Sequence, residues 1–327
     1  MMSNLAPSDR VEIRILVDNA TDGLSTTPAN VESEFGFATR RGLRASSARC
    51  LCCAVHGFSC LVTVHRGESQ HSVLFDSGPE DYAFERNTTR LGVDLGQVES
   101  IVLSHGHWDH SGAMLLALGA IRARNGGRDV PYYAHPGMFH TRGMRLRDGT
   151  VRLMDDVPSV DDLTALGAQV ICTTQPQSFL DDLCFVSGEV PRVTSFERGL
   201  PGQVRRTADG NSWEPDELIM DERWLAVHVK GKGLVVLSAC SHAGIVNVLK
   251  HARASFPDIP LHAVMGGLHL SGPNEKIVPQ TVEAMREFNL GVVAAGHCTG
   301  WRAIAALADA FGDAVLAPSA VGKRYTF

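Results

Sequence analysis

The chain has 327 residues, 44% of them hydrophobic and 20% charged, with a formal net charge of −6. These are ordinary globular values, and with no long basic block they argue against nucleic acid as the default partner. No run of about 18 apolar residues occurs, so no membrane span is expected, and the polar stretch Met1 to Arg10 lacks the apolar core of a secretory signal.

The length suits two domains on a simple prior, but large layered α/β enzymes of this size fold as one unit, so a single domain over 1–327 is expected. Strands are predicted at Val11–Val17, Cys60–His65, Ser72–Phe75, Ser100–Leu103 and Val130–Ala134. They continue at Gln169–Thr173, Leu183–Val186, Trp224–Val229, Leu234–Ser238, His262–Met265 and Gly291–Ala295. Each is short, rich in Val, Ile or Leu, and most are bounded by Gly, Pro or Asp. Helices are predicted at Gly112–Arg124, with Ser111 as N-cap, and at Ser159–Leu166, Ala243–Phe256, Lys276–Phe288 and Trp301–Phe311. In Ala243–Phe256, Ile245, Val246, Leu249 and Ala252 follow the helical apolar spacing. Hairpin-like strands come first, and strand–helix alternation closes the chain. That order predicts two sheets with helices on their outer faces, a layered αββα sandwich, rather than a doubly wound sheet.

Met138–Pro158 and Pro191–Arg223 read as irregular, being rich in charge, Gly and Pro. A long loop in a compact chain is usually functional, so residues 191–223 are expected to act as a lid over substrate. No internal repeat occurs. Met265-Gly266-Gly267-Leu268 is too short for a dinucleotide fingerprint, and no Walker pattern is present. The 8 cysteines include the crowded group Cys50, Cys52, Cys53 and Cys60. The location is expected to be cytoplasmic, where thiols stay reduced, so no disulfide framework is expected. Cys50-Leu51-Cys52-Cys53 lacks the second ligand pair of a zinc finger and reads as small buried or half-buried residues.

The chemistry concentrates in His105-Gly106-His107-Trp108-Asp109-His110, directly after the apolar run Ile101-Val102-Leu103. Imidazole and carboxylate at this density point to a metal. Side chains two apart in an extended segment point the same way, so His105 and His107 can chelate one ion. Asp109 and His110 point elsewhere and can serve a second ion, as in hydrolytic sites with two metals.

Other ligands should also sit where a strand ends. His297 follows Val292-Val293-Ala294-Ala295-Gly296 and is read as a metal ligand. Cys240 and His242 follow another buried strand and are candidate ligands for the same site. His269, behind two glycines, is assigned to substrate contact or acid–base work. Asp76 ends a strand and is expected to orient a ligand imidazole. His56 is ambiguous on its residues alone. His65, His71, His135, His140, His228, His251 and His262 are read as core or surface residues.

Phe75-Asp76-Ser77-Gly78, the His105–Gly112 segment, a strand-end ligand near Cys240, and Gly296-His297 occur in the order of the metallo-β-lactamase superfamily, which this chain resembles. A narrower set is Val17-Asp18-Asn19, His56-Gly57-Phe58-Ser59, Ser187-Gly188-Glu189-Val190-Pro191-Arg192, Cys240-Ser241-His242-Ala243-Gly244, Gly266-Gly267-Leu268-His269 and Gly296-His297-Cys298-Thr299-Gly300. It is similar to the branch containing 7,8-dihydropterin-6-methyl-4-(β-D-ribofuranosyl)aminobenzene-5′-phosphate synthase of methanopterin biosynthesis. The resemblance implies one or two divalent ions, Zn foremost, with Fe, Mn or Mg as alternatives.

It also implies a metal-dependent hydrolase, or a related transferase, acting on a small anionic metabolite. Asp109 would then orient the nucleophile, His269 and His56 would contact substrate, and Arg192 would attract its negative charge. The alternatives are a pterin-type synthase joining a phosphorylated sugar to an aromatic partner, or an iron-dependent redox enzyme of a biosynthetic pathway. A non-catalytic metal-bearing binding protein ranks last. The superfamily's third histidine for the first metal is absent, because that region reads Ser187-Gly188-Glu189. Either Glu189 or His242 fills its place, or the first ion is held less tightly. The usual bridging Asp is replaced in Ala239-Cys240, and a cysteine there favours Zn or Fe over Mg.

Overall fold

A computed structural model of the chain describes residues 5–44, 47 and 49–327. Two sheets face each other. The first has eight strands in the order Ala168–Cys172, Val130–Ala134, Val98–Val102, Ser69–Phe75, Ser59–Arg66, Arg10–Val17, Arg324–Thr326 and Val31–Glu32. The second runs Gln177–Phe179, Cys184–Val186, Leu225–Val229, Gly233–Ser238, Leu261–Gly267 and Val292–Gly296, with Pro7–Ser8 paired beside Leu225–Val229.

Strand periodicity sorts the apolar side chains between layers. Val11, Ile13, Ile15, Val235, Leu237, Ala263 and Met265 fill the space between the sheets. Their neighbours Leu234, Val236 and Val264 point outward, against the helices Ile245–Ser255, Val278–Met285 and Trp301–Phe311. Leu74, Ile101 and Leu103 point outward from the first sheet, against Asp81–Arg90 and Met114–Arg124. Helices thus cover both outer faces, giving the αββα layering expected from the order of elements. Among the described residues, no helix is long and apolar enough to cross a membrane.

Three local expectations need correction. The helix anticipated from Gly112 is two: a short turn, Trp108–Ser111, and then Met114–Arg124. Ser111 therefore caps nothing, and its hydroxyl donates back to the His107 carbonyl at 3.0 Å. The polar helices Glu34–Arg40 and Asp81–Arg90 carry too few apolar residues to be read by periodicity. The segments taken as irregular, Met138–Pro158 and Pro191–Arg223, pair across the chain. They build a small sheet ordered Trp213–Pro215, Gln203–Arg206, Arg142–Arg145, Val151–Leu153. Its strands have three or four residues, and Val204 pairs with Gly143 from far away in sequence.

The Arg142 side chain ties this small sheet to the histidine loop. It donates to the Asp216 carboxylate at 2.7 Å, the Gly106 carbonyl at 2.9 Å, the Gly137 carbonyl at 3.0 Å and the Asp221 carboxylate at 2.5 Å. Asp221 in turn accepts from the Gly106 amide at 2.8 Å. Position 106 must be glycine, since a Cβ there would lie 2.3 Å from the Met138 carbonyl oxygen and 2.7 Å from the Met138 Cα.

Candidate metal centre

Parallel pairing aligns the carboxyl ends of the key strands, and ligand-bearing loops in layered α/β proteins leave from such ends. Ser69–Phe75 and Val98–Val102 run parallel and deliver Asp76 and the His105–His110 loop. Gly233–Ser238, Leu261–Gly267 and Val292–Gly296 also run parallel and deliver Cys240 with His242, then His269, then His297. Asp76, Ser241, His269 and His297 hold left-handed backbone, with φ of 59°, 57°, 45° and 46°. Such conformations persist where surrounding bonds enforce them. The His297 amide, for example, donates to buried Asp18 at 2.9 Å.

The hydrogen-bond network fixes the tautomer of four imidazoles. The Ser104 hydroxyl donates to Asp76 at 2.7 Å, so His105 Nδ1 donates to Ser104 Oγ at 2.9 Å, leaving Nε2 without a proton. Gln203 gives its amide N–H to Asp216 and its carbonyl oxygen to His107 Nε2 at 2.8 Å, which leaves His107 Nδ1 bare. His110 Nδ1 donates to Asp76 at 2.7 Å. The Gly57 amide donates to Asn19 Oδ1 and Asn19 Nδ2 donates to the His297 carbonyl, so His297 Nδ1 must donate to that same Oδ1 at 3.0 Å.

Imidazole nitrogens converge in two groups. His105 Nε2 lies 3.0 Å from His107 Nδ1 and 3.2 Å from His242 Nε2. Two lone pairs facing each other at that separation are unfavourable unless a cation lies between them. Among the described residues, His110 Nε2 and His297 Nε2 are buried without any hydrogen-bond partner. Asp109 Oδ2 lies 3.5 Å from the latter. His105, His107 and His242 form one set of atoms within 4.8 Å, and Asp109, His110 and His297 form another. Cys240 lies between them, grouped with His105 and His110. These residues fit one or two divalent ions.

Protonation agrees with this. Burial holds His105 and His242 well below the usual imidazole range, and it pushes His107 and His297 down to about 4. They are neutral near neutral pH, as metal ligation would require. His110 is the exception. Burial opposes its charge, but Asp109 and Asp76 outweigh that and raise it to about 9. Burial opposes the charge of Asp109, but His110, His297, His107 and His56 outweigh it and hold its carboxyl below the ordinary range.

The sequence profile of the Metallo-beta-lactamase superfamily matches residues 56–297. The chain belongs to this superfamily. It is 28% identical over 255 residues to the 7,8-dihydropterin-6-methyl-4-(beta-D-ribofuranosyl)-aminobenzene-5'-phosphate synthase of Methanocaldococcus jannaschii, covering 76% of this chain and 82% of that protein. Its fold is similar to that of Tm1679, a metal-dependent hydrolase of the beta-lactamase superfamily. The TM-score is 0.71 at 21% identity, over 96% of this chain and 98% of the other. YhfI from Bacillus subtilis, a metallo-beta-lactamase fold protein, matches with TM-score 0.51 at 10% identity over 98% of this chain and 100% of that chain.

Within this superfamily frame the third imidazole beside His105 and His107 is His242. Glu189 is elsewhere, bonded to His135 Nε2 at 3.2 Å. Arg192 is not free to meet substrate, because its guanidinium donates to the carbonyls of Val190, Leu218 and Ile219. A lone Arg near a loop base cannot be told from a loop staple by sequence. His56 does reach the site: its Nδ1 accepts from Asn19 and its Nε2 faces Asp109 at 3.4 Å. His269 packs against His242 with ring centres 4.2 Å apart and planes tilted by 53°, and its Nδ1 lies 3.7 Å from Cys240 Sγ. His135, read as an ordinary core or surface residue, ends the parallel strand Val130–Ala134 and is buried.

Asn19, Gln203, Glu222 and Cys298 were not singled out as site residues. Asn19 sits in the motif Val17-Asp18-Asn19, and Cys298 adjoins His297; both were visible by adjacency. Gln203 and Glu222 had no such signal. Glu222 accepts from the His242 and Ala243 amides at 2.7 and 2.6 Å and so sets the loop that presents His242.

Proposed function

We propose that this protein is an enzyme that holds two divalent ions, zinc first among the candidates, and hydrolyses or transfers a group on a small anionic metabolite. The observation that carries the reading is the convergence of buried imidazole nitrogens from His105, His107, His110 and His297, the first two and the last neutral, around Asp109 and Cys240. When bound, such ions lower the pKa of water toward about 7 and stabilise developing negative charge. His105, His107 and His242 hold the first ion, and Asp109, His110 and His297 the second, with Cys240 between. The thiol favours zinc or iron over magnesium.

The chain's own groups divide the remaining work. Asp109 faces the second locus, with His56 Nε2 3.4 Å from its Oδ2, so its carboxylate orients the nucleophile and can take its proton. Asp76 keeps the proton of His110 on Nδ1. Burial opposes the charge of His269, but Cys298 and Glu222 outweigh it and raise its pKa, which favours the protonated form that can give a proton to a leaving group. Neutral imidazoles with the single carboxylate of Asp109 leave positive charge unbalanced when two dications are present, which favours an anionic substrate. Residues 191–223 cover the His107 side through Gln203.

Metal analysis of the purified protein with a panel of phosphodiesters, lactones and thioesters tests this. We expect two thiophilic ions per chain and turnover that chelation abolishes. Less than one ion per chain after zinc loading would refute it. A pterin-type synthase is the second reading, supported by the 28% identity to the Methanocaldococcus jannaschii enzyme. A condensed product from a pterin pyrophosphate and an aminobenzene riboside phosphate, with no hydrolysis across the panel, would establish that reading instead.

A further inference from the structure

Cys240 and Cys298 are buried, and their sulfurs lie 2.9 Å apart. They come from strands that are not neighbours. Cys240 follows Gly233–Ser238 and Cys298 follows Val292–Gly296, while Leu261–Gly267 runs between those two. The side chains meet across the end of that middle strand because it finishes in glycine. A Cβ on Gly267 would lie 2.5 Å from Cys298 Sγ and 2.6 Å from the Ala239 carbonyl oxygen. Cys298 Sγ also contacts the Cys240 carbonyl oxygen at 3.3 Å. Both sulfurs belong to the metal-binding cluster: Cys240 with His105 and His110, and both with His297. The two histidine groups are complete without Cys298, so its contact with Cys240 needs another explanation.

We propose that Cys240 and Cys298 form a reversible disulfide when the centre holds no metal, and that this bond withdraws both sulfurs from metal binding. The sulfurs need close by less than about 1 Å to reach the bonded distance of about 2.05 Å. The oxidant is a hydroperoxide small enough to enter a buried site, hydrogen peroxide being the simplest. One sulfur attacks a peroxide oxygen, the O–O bond breaks, and a sulfenic acid and one water result. The second sulfur then displaces that hydroxyl as a second water, and the S–S bond forms. The two thiols supply the two electrons and two protons that reduce the peroxide. A dithiol reverses the bond by exchange.

The competition with metal rests on the proposed metal centre; the disulfide itself does not. The test uses the full chain, stripped with a chelator or loaded with zinc, with the zinc content of each sample measured. Each sample is exposed to hydrogen peroxide, its free thiols are counted after denaturation, and its peptides are mapped without reduction. The stripped protein should lose two thiols, yield a linked peptide pair containing Cys240 and Cys298, and recover both thiols with dithiothreitol. The zinc-loaded protein should keep both. Cys298→Ser should give no linked pair and leave Cys240 as a trappable sulfenic acid. If Cys240 and Cys298 in the stripped wild-type protein stay as thiols, or pass to sulfinic acids without a link, the disulfide is refuted. If zinc-replete protein links as readily as stripped protein, the competition is refuted and the disulfide stands. If zinc fails to bind at all, the metal centre is at fault.

Discussion

Replacing Asp76 by Asn tests whether the centre depends on a tautomer. The carboxylate is fully buried and accepts three hydrogen bonds of 2.7 Å: from the Ser104 amide, the Ser104 hydroxyl and His110 Nδ1. An amide of the same shape has one acceptor end and one donor end. With its oxygen toward His110, its N–H₂ meets the Ser104 amide hydrogen; with the N–H₂ toward His110, it meets the Nδ1 proton. The second conflict is relieved if the His110 proton moves to Nε2, which then can no longer ligate. Either arrangement leaves a buried donor mispaired, at about 1–3 kcal/mol. Loss of a carboxylate that orients a ligand histidine typically costs about 10- to 100-fold in metal affinity. Chelator competition should therefore show that Asp76→Asn releases at least one ion about 10- to 100-fold more readily than the wild-type protein. The pKa of His110 should fall from its value of about 9 in the metal-free protein. A folded Asp76→Asn protein that holds both ions with wild-type affinity would refute the reasoning.

Asp109→Asn should lower turnover about 100-fold or more without changing the circular dichroism spectrum, since no helix cap or core contact is lost; retained turnover would remove Asp109 from the mechanism. Gln203→Leu should weaken the first ion about tenfold, because His107 Nε2–H loses its 2.8 Å acceptor; an unchanged chelator titration would show that the small sheet does not hold the ligand. The metal-free protein should be most stable near pH 6.5. His107 and His297, pushed from 6.5 to about 4, contribute stability present above 6.5 and lost as pH falls toward 4. At about 1.4 kcal/mol per unit, each is worth on the order of 3 kcal/mol. His110, raised to about 9, contributes in the opposite sense: fully below 6.5, with the contribution lost as pH rises through 9. Urea midpoints across this range should form a peak whose alkaline side disappears on zinc loading; a flat profile would contradict the protonation states derived above.

The β-strands with continuous Val, Ile and Leu were legible because burial on both faces leaves little else in them. The histidine loop was legible because ligand chemistry compresses rare residues into one segment. His242 was only half legible. Nothing in Cys240-Ser241-His242 says which side chain turns inward, and that is decided by Glu222 gripping the His242 and Ala243 amides from elsewhere in the chain. The small sheet was illegible because its partners lie about 60 residues apart in sequence and its strands contain Arg, Gln and Gly with no apolar alternation. Arg192 was misread for a related reason: a guanidinium used by backbone carbonyls looks, in sequence, the same as one awaiting an anion.

The grip of Arg142 on Gly106 has an architectural implication. The small sheet and the loop after it, with Arg142, Gln203, Asp216 and Asp221, are not detachable accessories that could be trimmed to yield a minimal protein. Shortening them would unclamp the peptide between His105 and His107, so a slimmer version of this protein would need a new way to brace that turn. Synthesis inherits the same dependency. His105 and His107 emerge early from the ribosome, yet their brace is complete only when Asp221 has followed, more than a hundred residues later. A nascent chain released before that point carries the histidines but not the geometry that makes them a pair.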